Sequence, residues 1–134
     1  MSELELQIGT QASELKTGEN FELNVILKND GKGDATGFTP TLGILWFNFD
    51  EPWHPDSRRK RKSGQMSRSP KQLLPADFAH ISRGKMCEVA LETTAPSQPG
   101  LYFLMSYFNL FRESSKSQLT ASAHSGNVIT LKVN

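Results

Sequence analysis

Hydrophobic and polar residues alternate one by one along much of this chain. Leu4, Leu6 and Ile8 are interleaved with Glu3, Glu5 and Gln7, the period-2 pattern of a strand with one buried face. After a turn at Thr17-Gly18-Glu19-Asn20, Phe21, Leu23, Val25 and Leu27 alternate with Glu22, Asn24, Ile26 and Lys28. Asn29-Asp30-Gly31-Lys32-Gly33-Asp34 has the glycines and side-chain acceptors of a tight connection. Phe38 to Phe49 is a third extended region. Pro40 and Gly43 inside it predict a bend or bulge, and its aromatic second half, Ile44 to Phe49, predicts burial. Cys87, Val89 and Leu91 alternate with Met86, Glu88, Ala90 and Glu92, and Ile129, Leu131 and Val133 with Val128, Thr130 and Lys132.

The longest apolar stretch is Leu101 to Phe111, bounded by Pro99-Gly100 and by Arg112-Glu113-Ser114-Ser115. Extended, it runs about 35 Å. Leu101, Phe103, Met105 and Tyr107 point to one side; Tyr102, Leu104, Phe108 and Leu110 point to the other. Two apolar faces predict a central strand. The row with Tyr102, Phe108 and Leu110 then needs a cover: the insertion that precedes it, a partner or a second copy. Leu73 to Ile81, readable as a helical turn after Pro75 or as a short strand, is the nearest such cover.

Asp50 to Gln72 has no apolar period, carries Pro52, Pro55, Gly64 and Pro70, and reads as one long loop. Glu113 to Gly126 is polar and serine-rich. No segment sustains a 3.6-residue period. Six or seven strands with frequent turns predict an all-β, antiparallel two-sheet sandwich spanning residues 1–134 as one domain, with the basic loop at 50–72 as its insertion. Strand patterns close to both ends fit a module of a longer protein or a minimal domain.

Composition adds little until charge is located. The chain has 134 residues, 37% hydrophobic and 22% charged, with a net charge of +1. Of its 15 basic residues, 7 are Arg58, Arg59, Lys60, Arg61, Lys62, Arg68 and Lys71, with no acid among them; the remainder has 8 basic against 14 acidic residues, a net of −6. An acidic body thus carries one strongly basic segment. No apolar run approaches the roughly 20 residues that span a bilayer. The N-terminus lacks the features of a signal peptide. Cys87 is the single cysteine, so no intrachain disulfide forms. These features point to a reducing compartment, cytoplasmic or nuclear, or to an extracellular setting if the domain is excised from a larger secreted protein.

Five consecutive cations repel one another and must be solvated. Three roles fit them: contact with phosphates of a nucleic acid or an anionic membrane, in which Arg58, Arg59, Lys60, Arg61, Lys62, Arg68 and Lys71 act with Trp53 as a stacking residue; a short nuclear-targeting run; or a phosphorylation switch at Ser63, Ser67 and Ser69. The bland alternative is a solvated loop. Tyr102, Phe108 and Leu110 form a candidate apolar interface. His54, His80 and His124 are too far apart in sequence to signal a metal, Cys87 reads as a small core residue, and no cofactor is expected. There is no nucleophile elbow, phosphate-binding glycine loop or paired-acid motif, so an enzyme is not expected.

The run Val25-Ile-Leu-Lys-Asn-Asp-Gly-Lys-Gly-Asp-Ala35 resembles the second-strand signature of immunoglobulin-like repeats in bacterial surface proteins, the cell-adhesion-related (CARDB-type) domains. The turn at Gly84, the strand Met86 to Leu91 and Ala95-Pro-Ser-Gln-Pro-Gly-Leu-Tyr102 continue the likeness. The resemblance implies an immunoglobulin-like sandwich and no catalytic residues; the cations from Arg58 to Lys71 depart from its pattern. The function expected is a non-catalytic module that binds another protein, with the basic loop for recognition or regulation. The alternative is an accessory domain binding nucleic acid or an anionic membrane through Arg58 to Lys71.

Overall fold

Each alternating stretch becomes a strand, and its apolar row becomes one wall of a sandwich. The computed structural model describes residues 4–48, 65–112 and 119–134. In chain order the elements are β1 (Leu4–Gly9), β2 (Glu14–Leu15), β3 (Asn20–Asn29), β4 (Ala35–Thr36), β5 (Phe38–Asn48), β6 (Gln65–Leu73), a 3-10 turn (Ala76–Ala79), β7 (His80–Ile81), β8 (Met86–Thr94), β9 (Gly100–Phe111), β10 (Leu119–His124) and β11 (Ile129–Val133). The smaller sheet has the order β1-β3-β8. The larger has the order β2-β11-β9-β5-β6, with β10 also paired to β9. A two-residue ribbon, β4-β7, lies apart from both. The protein is an all-β immunoglobulin-like sandwich. β2, β4 and β7 are only two residues long, and the β2-β11 pair is parallel, unlike the antiparallel ladders around it.

The core lies between the sheets. Leu23, Val25 and Leu27 from β3 are fully buried, and Leu6 and Ile8 from β1 extend their row. Across from them lie Leu42, Ile44 and Trp46 of β5, then Leu104, Phe108 and Leu110 of β9, then Leu131 of β11. The ring of Trp46 packs edge-on against Phe21 and Tyr102, each at 5.8 Å between centroids. The bend expected from Pro40 and Gly43 is a pair of irregularities. β5 slips against β9 between Phe38 and Thr41 and against β6 between Leu42 and Ile44, and Thr39 has a φ of 52°.

Three expectations are corrected here. First, the final third of the supposed loop at 50–72 is β6, paired antiparallel to β5 from Gln65↔Asn48 to Leu73↔Thr41. As the sheet's polar edge, it has no apolar row for a periodicity reading to detect, and its Arg68, Pro70 and Lys71 are residues that discourage further strand addition. Second, Tyr102, Phe108 and Leu110 are not an interface: they are 3%, 0% and 0% exposed and line the sandwich interior. Both rows of β9 are apolar, but Leu42, Ile44 and Trp46 on β5 are in register with this one. Third, the strand count of six or seven is exceeded: part of the polar, serine-rich stretch 113–126, given no element in the sequence reading, is β10, paired to the C-terminal half of β9. The two readings of Leu73 to Ile81 are both present, as the 3-10 turn after Pro75 and as β7. From that turn Phe78, 1% exposed, packs against Phe108 at 6.5 Å.

The two sides of the sandwich close differently. On the β1 side, Asn127 accepts from the Ile8 N–H at 3.0 Å and donates to the Ile8 carbonyl at 2.6 Å. The Gly126 N–H donates to Leu6 O at 2.8 Å. The β10-β11 turn thereby completes the edge of β1 as another strand would. On the β8 side, Gln72 on β6 donates to the Glu92 carbonyl at 3.2 Å.

Ser106 interrupts the buried row of β9 between Leu104 and Phe108. It is 0% exposed, and its Oγ has no hydrogen-bond partner among the described residues. An unsatisfied buried hydroxyl costs free energy that a methyl group does not. Ser106→Ala is expected to leave stability unchanged or raise it by up to about 1 kcal/mol, read as the urea midpoint. A clear drop in the midpoint would show a partner for the hydroxyl in solution.

Candidate interaction surface

The outer row of β9 is built by the same alternation that fills the core. Leu101 and Phe103 are 36% and 40% exposed, and Met105 and Tyr107 are half-buried. Neighbouring strands continue the face in register. Phe47 of β5 lies opposite Phe103, and Met66 of β6, 44% exposed, lies opposite Phe47. One row therefore crosses three strands as Met66, Phe47 and Phe103. In the next, Leu45 lies between Arg68 and Met105. Further along, Gly43 lies opposite Tyr107, and a side-chain carbon at Gly43 would collide with the tyrosine ring, so the ring lies over bare backbone. His124 lies beside that ring, at 6.5 Å between centroids.

Charge is divided between the sheets. β5, β6, β9, β10 and β11 contain no aspartate or glutamate. Arg68 on β6 and Lys132 on β11, which lies opposite Leu101, supply cations to the outer face. Glu14, on β2 beside Lys132, is the carboxylate at its margin. The smaller sheet is the reverse. Glu5, Glu22, Glu88 and Glu92 share its outer face with Lys28, as the pairings Glu5↔Lys28, Glu22↔Glu92 and Ile26↔Glu88 fix. Lys28 is itself bound to Asp30 at 3.4 Å.

Of the cations singled out in the sequence, Arg68 and Lys71 sit exposed on β6. Arg58, Arg59, Lys60, Arg61, Lys62, Trp53 and Ser63 lie outside the described residues. Their connector leaves the sheet at Asn48 and re-enters at Gln65, residues paired with each other one step from the Met66-Phe47-Phe103 row. Ser67 is exposed. Ser69 is committed to the fold: its Oγ accepts the Trp46 indole N–H at 3.0 Å. A phosphate there would break that bond, so Ser67 is the more accessible of the two described serines.

A cleft of about 430 Å³ runs between β6 and the β8-β9 connector, lined by Trp46, Ser67, Ser69, Pro70, Pro96 and Gln98. Its polar aromatic groups serve the fold. The Tyr102 hydroxyl donates to the Gln98 carbonyl at 2.8 Å, as the Trp46 indole does to Ser69. Among the described residues no three of His, Cys, Asp and Glu cluster to hold a metal ion. Among the described residues no helix is long and apolar enough to cross a membrane. Cys87, half-buried on β8, has its thiol pKa raised by burial and secondarily by the Asp77 carboxylate, and its Sγ lies 3.4 Å from the Asp77 carbonyl. Both effects disfavour the reactive thiolate.

The outer face was not singled out in the sequence. Its signal was present in the acid-free strands, but register is needed to bring Met66, Phe47, Phe103 and Leu101 together on one face.

No protein-family model and no curated protein matches the chain by sequence. Solved structures match it by shape. The CARDB domain of the PF1109 protein from Pyrococcus furiosus aligns with a TM-score of 0.54 at 11% identity, over 99% of this chain and 95% of that domain. A crystal structure of that domain carries di-metal ions, whereas no metal-holding cluster occurs among the residues described here. A Listeria innocua β-glucosidase aligns with a TM-score of 0.54 at 16% identity, but this chain spans only 16% of that enzyme. The Pseudomonas fluorescens alkylpurine DNA glycosylase AlkC, bound to DNA containing an abasic site analog, aligns with a TM-score of 0.54 at 9% identity, over 31% of that chain. At these identities the likeness is one of fold, and in fold the chain resembles a CARDB-type domain across its whole length.

Proposed function

We propose that this domain is a non-catalytic protein-binding module that engages an acidic partner surface through the outer face of its larger sheet. The observation that carries the reading is the in-register apolar row Met66-Phe47-Phe103, extended by Leu101, on strands without a single carboxylate. Solvent-facing sheet positions are ordinarily polar, and an apolar patch rimmed by polar residues is a common form of docking surface. Arg68 and Lys132 steer an acidic partner and suppress a basic one. On this reading the cations from Arg58 to Lys62 would also favour an acidic partner. Phosphorylation of Ser63 or Ser67 would weaken that preference.

A photo-crosslinking residue at position 101 tests this. In cells it is expected to give discrete protein adducts, whereas the same residue at Arg83, in the β7-β8 turn, gives none. Equal adduct patterns from the two positions would remove the reading.

The full-length likeness to part of a DNA-bound glycosylase favours one second reading, an accessory contact to nucleic acid through Arg58 to Lys62 and Arg68. Duplex DNA retention at low salt, lost when Arg58 to Lys62 become alanine, would support it. Retention unchanged by that substitution would remove it.

A further inference from the structure

We infer that the partner for the larger sheet's outer face is the acidic outer face of the smaller sheet on a second copy of this chain. The inference rests on the reading of the larger sheet's outer face as a binding surface, and it names the occupant.

The two outer faces are complementary in charge. One bears Arg68 and Lys132, with no acid in the five strands that form most of it. The other bears four glutamates, with its single lysine held by Asp30. Glu22 and Glu92 are direct cross-strand neighbours, an arrangement that like charges disfavour in an isolated sheet. Cations docked over that pair would relieve the repulsion. Among the described residues, Arg68 and Lys132 have no ion-pair partner of their own, nor do Glu88 and Glu92.

The faces also match in apolar character and relief. The acidic face has a depression between Glu5, Gln7, Ile26, Lys28 and Met86, and Met86 is 60% exposed at its edge. The larger sheet presents projecting apolar side chains, Leu101, Phe103 and Met66, between its two cations. Apolar projections set against Ile26 and Met86, with glutamates facing cations around them, are the composition of a specific interface.

The two faces lie on opposite sides of one sandwich, so the contact is head-to-tail. It does not close on itself after two copies, and it builds an open-ended row.

Charge reversal tests this without disturbing the core, because Arg68, Lys132, Glu88 and Glu92 are all exposed. Light scattering of the unmodified protein at low salt is expected to show mass rising with concentration, with apparent affinity falling about tenfold or more by ~0.5 M salt. Arg68→Glu with Lys132→Glu, and separately Glu88→Lys with Glu92→Lys, should each remain monomeric. Mixed, they should associate again, because each contributes one unmodified face and the two reversed faces, one now acidic and the other now basic, complement each other. A mixture that stays monomeric overturns the proposal, as does unmodified protein whose mass is independent of concentration. The outcomes also separate the two levels of argument. If the Arg68/Lys132 variant fails to associate while the Glu88/Glu92 variant associates normally, the larger sheet pairs with itself: the binding surface stands and the acidic occupant is wrong. If only the Glu88/Glu92 variant fails, the larger sheet is not the surface used.

Discussion

Asn29→Ala is expected to destabilise this domain by about 3 to 5 kcal/mol, because it leaves three backbone groups without partners, two of them in buried bonds. Asn29 ends β3 and is 0% exposed. Its Nδ2 donates to the carbonyls of Gly33 and Ile81, both at 2.9 Å, and its Oδ1 accepts the Gly31 N–H at 2.9 Å. Its backbone is tied as well, donating to Lys85 O and accepting from Gly84 N. One residue thus fastens the β3-β4 turn to β7 through its side chain and holds the β7-β8 turn through its backbone. Alanine keeps the backbone bonds and loses all three others. Asn29→Asp is expected to be at least as damaging at neutral pH. It retains the acceptor for Gly31 but cannot donate to two carbonyls, and it buries a charge. The checking measurement is urea unfolding with the m-value held in view. A fall in midpoint at constant m is the expected result; a change below about 1 kcal/mol would mean that water replaces the side chain at no cost.

Trp46→Ala is expected to cost a similar 3 to 5 kcal/mol, through the cavity it leaves. The indole is 2% exposed between Phe21 of β3 and Tyr102 of β9, so it bridges the two sheets. Its N–H also satisfies Ser69 on the edge strand. Trp46→Phe should recover more than half of the loss, because the ring stays and only the hydrogen bond and part of the volume go. Thermal unfolding followed by far-UV circular dichroism distinguishes the two. Equal melting temperatures for the Ala and Phe variants would show that the hydrogen bond to β6, rather than ring packing, holds this end together.

What the chain discloses before folding depends on whether a residue's role is local. β3 was legible because Phe21, Leu23, Val25 and Leu27 face one core, and a period of two records that directly. β6 was not, because its strand conformation comes from the ladder to β5 rather than from an apolar row. In β9 alternation was plain but parity was ambiguous, since both rows are apolar. Ser106 made the choice harder, being the polar residue in the row that turns out to be buried. The bulge in β5 could be expected from Pro40 and Gly43, but the Tyr107 ring over Gly43 could not, because it depends on cross-strand register. The candidate surface was half legible for the same reason. The basic run is visible in any linear reading, whereas the gathering of Met66, Phe47, Phe103 and Leu101 exists only once strand pairing has set the order β11-β9-β5-β6.

The short parallel pair of β2 and β11 bears on how the domain would answer mechanical force. Asn134 donates to Leu15 O at 2.7 Å, Thr17 to Asn134 O at 3.0 Å and Lys132 to Ser13 O at 3.2 Å, so these bonds bind the last strand directly to a segment near the first. Tension applied at the two ends of the chain draws parallel neighbours in opposite directions along their length. The bonds between them are then sheared together rather than peeled one after another. In a domain strung in a row under load, that seam would be sheared as a unit once β1, which precedes it, had been drawn from β3.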